Sequence, residues 1–331
     1  VRRAIQALSG KTDYATKKTS MQHTNNANPI RIELPDLIAL RQHLVRCERH
    51  RSVSRASGEG AYRSRALGRG ITFAEVRGYQ PGDDVRLIDW RVTARTGRAH
   101  TKVFDEERER PVLVALDYRR PMFFATRGCF KAVQASRIAA LLGWQALQHH
   151  DRFGAFVFSE ENTLGLRPRL GKKAVLEVLR TMVSDPVWER EPHLPFEPRK
   201  RLEHTLDQMQ RVVRPGSFIV ILSDFRQWDA QVEKQIALLT RHCELCLVHC
   251  YDPFESSLPT PGRYPLSDGR TRVALDLDAT ALKRYQEGFS RHRECLQQFC
   301  RTRGARFISC STTDDPGICV EHIRPLSTRR R

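Results

Sequence analysis

Long apolar runs are absent from this 331-residue chain. The best of them, FIVIL and LVALD, are strand-sized and far short of the ~18 residues that cross a bilayer, so no membrane span is expected. The opening VRRAIQALSGK is basic but offers only a short apolar patch, less than the roughly 7–15 residues of a signal-peptide core. Nucleotide and nucleophile motifs are missing too. Gly165 to Gly171 (GLRPRLG) lacks the Gly-Lys-Ser/Thr ending that cradles phosphates, and no Gly-x-Ser-x-Gly elbow occurs. Cysteine is present but unframed: nine residues, an odd number, are scattered from Cys47 to Cys319. Cys243-x-x-Cys246-x-x-x-Cys250 has no second pair at zinc-ligand spacing and falls partly on an expected strand, so buried thiols are the reading. These shortages predict a cytoplasmic, non-enzymatic protein with reduced thiols, no cofactor and no metal.

Negative charge is scarce as well. Asp and Glu number 38 against 56 Lys and Arg, a net charge of +18. Such a surface draws polyanions, which makes nucleic-acid binding one alternative function. The bases are dispersed, however, dense from Arg41 to Lys102, from Arg190 to Arg214 and again at Arg329, Arg330 and Arg331. That distribution fits solvated surface and ion-pair networks better than one nucleic-acid stripe.

Residues 1–34 show no hydrophobic period for most of their length and are expected to be a disordered tail. From Pro35 to Arg49, Leu37, Ile38, Leu40, Leu44 and Val45 share one helical face, with Asp36 near its start. A Ser-, Gly- and Arg-rich loop leads to a short strand, Ile71–Tyr79, closed by a turn at Gln80-Pro81-Gly82-Asp83. Asp83 or Asp84 then caps a helical turn through Trp90. Residues 35–110 thus form an N-terminal helix and an Arg/Asp-rich module. From 111 to 315 apolar strands alternate with amphipathic helices. Strands are expected at Pro111–Asp117, Phe153–Ser159, Thr163–Arg167, Ser217–Asp224, Glu244–Tyr251 and Arg306–Cys310, with a hairpin over Tyr264–Leu275. Helices are expected at Phe130–His149, Lys172–Val183, Arg199–Val213, Ala230–His242 and Ala279–Arg303. This is the pattern of an α/β fold, a doubly wound and mostly parallel sheet covered on both faces. Residues 316–331 read as a basic C-terminal tail.

In such sheets ligands bind at the carboxyl ends of the strands. Two acids end strands there, Asp117 after PVLVAL and Asp224 after FIVILS. A hard cation in that crevice would want carboxylate and hydroxyl oxygens, and a metal-dependent hydrolase built on Asp117 and Asp224 is a second alternative function. The other dense cluster is the module itself, where Arg77, Arg86, Arg91 and Arg95 surround Asp83, Asp84 and Asp89, with Tyr79, Trp90 and Lys102 nearby. Its expected role is an ion-pair network in which Arg77, Arg86 and Arg95 clamp the three aspartates while Trp90 fills a seam. The competing role is a recognition surface whose arginine forks read a partner's carboxylates or phosphates.

The order and spacing of these strand-end acids resemble a von Willebrand factor type A domain, whose metal site uses Asp-x-Ser-x-Ser and a second, later Asp. Asp117 and Asp224 match the acids. Arg119 and Pro121 stand where the serines belong, so the resemblance implies a degenerate metal site. The module also resembles the domain of unknown function 58 family. The similarity is carried by Arg77, Tyr79, Pro81, Gly82, Asp83, Asp84, Arg86, Asp89, Trp90, Arg95 and Lys102, and later by the loop Tyr251-Asp252-Pro253-Phe254-Glu255. Members of that family commonly accompany MoxR-type AAA+ ATPases. The resemblance therefore implies a protein-interaction role, as partner or adaptor of such an ATPase in a chaperone-like or maturation system.

Overall fold

The computed structural model describes residues 28–42, 67–81, 83–105, 109–190, 198–257, 260–267 and 272–323. Helix α1 (Leu34–Ala39) carries Pro35 in its first turn, where the fixed φ of proline suits a helix start. The helix expected as far as Arg49 runs past the described residues after position 42. Strand β1 (Leu67–Gly78), helix α2 (Trp90–Thr96) and strand β2 (His100–Asp105) follow, and β1 pairs with β2 in an antiparallel ribbon of its own. Strand β2 was not foreseen, because HTKVFD alternates too weakly to stand out beside its charged neighbours.

The main body then alternates. Strand β3 (Pro111–Asp117) leads to α3 (Lys131–Gln148), and β4 (Arg152–Phe158) with β5 (Thr163–Arg169) leads to α4 (Lys172–Val183). Helix α5 (Pro198–Val212), β6 (Phe218–Ser223), α6 (Ala230–Thr240) and β7 (Glu244–Tyr251) come next. A short helix, α7 (Pro253–Ser256), precedes the hairpin β8 (Gly262–Ser267) and β9 (Arg272–Leu277). The chain continues through α8 (Ala279–Arg303), β10 (Arg306–Ser311) and α9 (Pro316–Ile323). Six strands make one sheet in the order β10-β7-β6-β3-β4-β5, parallel except for the β4–β5 pair.

Period-two alternation along β3 divides the core in two. Val112, Val114 and Leu116 face a cluster with Ile138, Leu142 and Trp144 of α3 and Leu179 of α4. Leu113 and Ala115 face the other cluster, with Leu206 of α5, Ile236 of α6 and Phe299 of α8. Helix α1 belongs to the first cluster: Leu37 is buried, and its carbonyl accepts a 2.9 Å hydrogen bond from Trp144 Nε1.

Two expectations about the C-terminal region are corrected. Part of the expected tail is helix α9, whose Cys319, Val320 and Ile323 are buried in the first cluster. Cys310 and Cys319 are joined by a disulfide, with Cα atoms 6.4 Å apart, where reduced thiols were expected. Packing of α9 beside β10 brings the two sulfurs together, and a nine-residue separation in an odd set of cysteines carries no sign of it. Cys319→Ser is expected to lower stability by about 2–3 kcal/mol, from the loop closure that a bridge of this span removes from the unfolded chain. Urea melts of the two proteins with and without reductant check this. Coincident non-reducing melts would show that no bridge forms in solution.

Candidate functional site

Parallel pairing of β3 with β6 puts Leu116 opposite Leu222, so Asp117 and Ser223 leave the sheet side by side. Asp117 is fully buried, and Arg119, two residues on, is buried with it. The Arg119 guanidinium grips both carboxylate oxygens. Nε donates to Asp117 Oδ1 at 2.9 Å and Nη2 to Oδ2 at 2.5 Å, while the Arg119 amide also reaches Oδ1 at 2.9 Å. Ser223 Oγ donates to Asp117 Oδ2 at 2.6 Å. The fork is held from outside by Gln227, whose Oε1 accepts from Arg119 Nη1 at 3.2 Å, and by the Phe158 ring 5.6 Å from the guanidinium carbon. Burial opposes the Arg119 charge, but Asp117, by charge and hydrogen bond, together with Asp224 and Glu160 offsets it and raises the guanidinium's affinity for its proton. Pro121 lies in a single helical turn, Arg120–Met122, with Met122 driven into the core.

A second ion group lies one residue beyond Ser223. Asp224 is 4% exposed and Lys131, the first residue of α3, is wholly buried. Lys131 Nζ donates to Asp224 Oδ2 at 3.2 Å and to Glu255 Oε1 and Oε2 at 2.9 and 3.2 Å. Arg226 closes the group, with Nε 3.4 Å from Asp224 Oδ2 and Nη2 donating to Glu255 Oε1. Burial alone would push the Asp224 carboxyl up, but Lys131 and Arg226 hold it below the ordinary carboxylate value. Between the two groups Phe225 adopts a left-handed backbone, φ 49°, unusual for a side chain this large. Its buried ring meets Trp228 edge-on, and its amide donates to Ser223 Oγ at 3.0 Å.

The third acid is Asp252, the N-cap of α7, in a reciprocal capping box with Glu255. It accepts from the Thr126 amide and hydroxyl at 2.8 and 2.5 Å and from Thr312 Oγ1 at 2.9 Å. Those hydrogen bonds outweigh burial and lower its pKa. The crossing loop closes tightly enough to need Gly128: its φ is +74°, and an added Cβ would lie 2.1 Å from the Thr312 carbonyl oxygen. On β7, His249 lies opposite Ser223. Burial, then neighbouring His292, pushes its pKa down to about 3, so it is neutral near pH 7.

Several of these groups were invisible in the sequence. Lys131, Arg226 and Gln227 had no motif, and Asp252 and Glu255 were noted only as parts of a loop. The one available signal was Lys131 itself, a cation heading the largely apolar stretch AVQASRIAALLGW.

The Arg/Asp module is built differently from the expected clamp. Arg77 does pair with Asp83, Nη2 to Oδ1 at 2.7 Å, and the amide of Asp83 bonds to the carbonyl of Gln80 in the turn that includes Pro81. Gly82 lies outside the described residues. The Tyr79 amide bonds to the Ala99 carbonyl at 2.8 Å. Asp84 caps the following turn, accepting from the Arg86 amide, and Asp89 caps α2, accepting from the Arg91 and Val92 amides. Lys102 Nζ, 3.7 Å away, is the cation beside Asp89. Arg86 and Arg95 do not clamp aspartates: both are exposed, and neither pairs with a carboxylate among the described residues. Trp90 fills no seam, being 70% exposed. The aspartates satisfy backbone amides at turn and helix starts instead, which needs only local geometry.

Fold and site together define an α/β protein in which the carboxyl ends of a mostly parallel six-stranded sheet are filled by internal ion pairs. The family model described as protein of unknown function DUF58 matches residues 75–295, and the chain belongs to that family. Similar proteins include uncharacterized proteins Rv1480 and MT1527 of Mycobacterium tuberculosis and Mb1516 of Mycobacterium bovis. Each is 28% identical over 266 residues, covering 80% of this chain and 81% of the relative. Among solved structures, an aerotolerance-related membrane protein of Bacteroides fragilis with multiple mutations to serines aligns with TM-score 0.41 and 12% identity, over 65% of this chain and 96% of that one. Conserved hypothetical protein BatB of Bacteroides thetaiotaomicron aligns with TM-score 0.38 and 9% identity, over 65% and 97%. Among the described residues, no helix is long and apolar enough to cross a membrane.

Proposed function

We propose that this chain is a non-enzymatic interaction protein, a partner or adaptor of a MoxR-type AAA+ ATPase, built on a von Willebrand factor type A-like domain with a degenerate metal site. The observation that supports the metal-free part of this reading is the fork of Arg119 on Asp117, and the ATPase partner is what the family resemblance implies. A divalent ion in this crevice needs oxygen donors, and the donor set does not fit one. Both Asp117 oxygens are taken by a guanidinium, Pro121 has no side-chain donor, and Asp224 faces the ammonium of Lys131. Among the described residues, neither Asp117 nor Asp224 joins two other acidic, histidine or cysteine ligand atoms at metal-binding spacing. A crevice neutralised from within has no open coordination position with which to activate water, so the hydrolase reading loses its chemistry.

Two measurements test this. Pull-down with the full chain from its native host is expected to recover a MoxR-type ATPase in at least one nucleotide state, and failure in every nucleotide state sinks the proposal. Titration calorimetry with Mg²⁺ and Mn²⁺ is expected to show no saturable heat. Stoichiometric binding abolished by Asp117→Asn would restore the metal-dependent alternative.

A further inference from the structure

We infer that the outer face of α2 and the turn before it form a docking surface for an acidic protein, one that presents carboxylates around an apolar recess. This deepens the interaction-protein reading and rests on it.

The three aspartates of the cluster are already engaged. Asp83 holds Arg77 and the Gln80 amide, Asp84 holds the Arg86 amide, and Asp89 caps α2 beside Lys102. Their charges satisfy the module's own backbone, which leaves guanidinium groups without local partners. Along α2 Trp90, Arg91, Ala94, Arg95 and Thr96 are exposed, while Val92 and Thr93 are half-buried. Helical spacing makes the first four of these one continuous patch, since 91 and 95 are neighbours four apart and 90 and 94 likewise. The preceding turn adds Val85, 61% exposed, and Arg86. Among the described residues Arg86, Arg91 and Arg95 make no ion pair with any carboxylate.

A tryptophan at 70% exposure, flanked by arginines with free forks, has the composition of an interface centre. Trp and Arg carry disproportionate binding energy once water is excluded from them. The guanidinium fork matches a carboxylate in plane and spacing, so the complementary surface is acidic. An indole also seats in lipid headgroups and stacks on nucleic-acid bases. A protein is taken as the occupant because the patch is read within the interaction-protein proposal, and the parallel titrations below separate it from the other two.

The test uses the full chain and the purified MoxR-type ATPase of the native host as probe. Equilibrium titration compares wild type with Trp90→Ala and with the Arg91→Ala/Arg95→Ala double variant, each first shown to melt like wild type. Trp90→Ala is expected to weaken binding by about 10- to 50-fold, the scale of an interface hot spot. The arginine variant is expected to weaken it and to flatten its dependence on salt. Wild-type affinity in both variants overturns the docking surface while leaving an ATPase partner intact, whereas no binding by wild type overturns the partner and the surface together. Parallel titrations use a double-stranded DNA oligonucleotide and phosphatidylglycerol vesicles. Saturable binding to either at moderate salt that Trp90→Ala abolishes would assign the patch to that polyanion and overturn the protein reading.

Discussion

Replacing Lys131 with methionine is expected to destabilise the protein by about 3–5 kcal/mol, the scale on which a buried charge loses its counter-ion. Lys131 is wholly buried and is the inner partner of both Asp224 and Glu255. Methionine fills similar volume, so the loss is electrostatic rather than a cavity. Arg226 is half-exposed and only partly offsets it. If the cost is orphaned charge, Lys131→Met combined with Asp224→Asn and Glu255→Gln should recover most of it. The loss should also depend on pH. In wild type the Asp224 pKa is lowered from its ordinary 3.8, with Lys131 the leading cause that opposes burial. Such a group stabilises the fold above its unfolded pKa, and the contribution is lost as pH falls through the lower folded value. The gap between wild type and Lys131→Met should therefore be full near neutrality and narrow below about pH 4. Urea midpoints measured across that range decide it, and a gap independent of pH would show that packing, not charge, is at stake.

Arg119→Ala is expected to cost a similar amount, about 3–5 kcal/mol, because Asp117 keeps only the Ser223 hydroxyl and one backbone amide. Here the alanine also removes packing against Phe158. Arg119→Met with Asp117→Asn separates the contributions: a recovery of most of the loss identifies the ion pair as its source. Wild-type stability in Arg119→Ala would mean that the fork is not formed in solution, and the donor-set argument against a metal would fall with it.

How much of this was legible beforehand follows the range of the interactions involved. The continuous apolar runs PVLVALD, FIVILS and ELCLVHCY announced parallel strands because each depends only on its own residues and on being buried from both faces. Helices α4 and α8 were readable for the same reason, with apolar residues on one stripe. The match of Arg119 to a ligand position is what the resemblance to a von Willebrand factor type A domain implied, and its fork two residues back is a local contact. The association of Lys131 with Glu255 spans 124 positions, and no periodicity encodes it. The Arg/Asp module misled for the opposite reason. Alternating charges suggested pairing across the cluster, but an aspartate beside a turn has a nearer donor in the amides of its own chain. Bridging of Cys310 to Cys319 depended on a helix hidden within a stretch that looked like basic tail.

The reversed turn at Phe225 has a consequence for how this end of the sheet moves. Ser223 is bonded to Asp117 and Asp224 to Lys131, so the two ion groups are joined by adjacent residues of one backbone segment. A phenylalanine with positive φ costs roughly 1–3 kcal/mol and persists only while its ring stays seated. Phe225→Gly, which removes both the ring and the backbone cost, is therefore expected to weaken the Ser223 and Asp224 contacts together rather than one at a time.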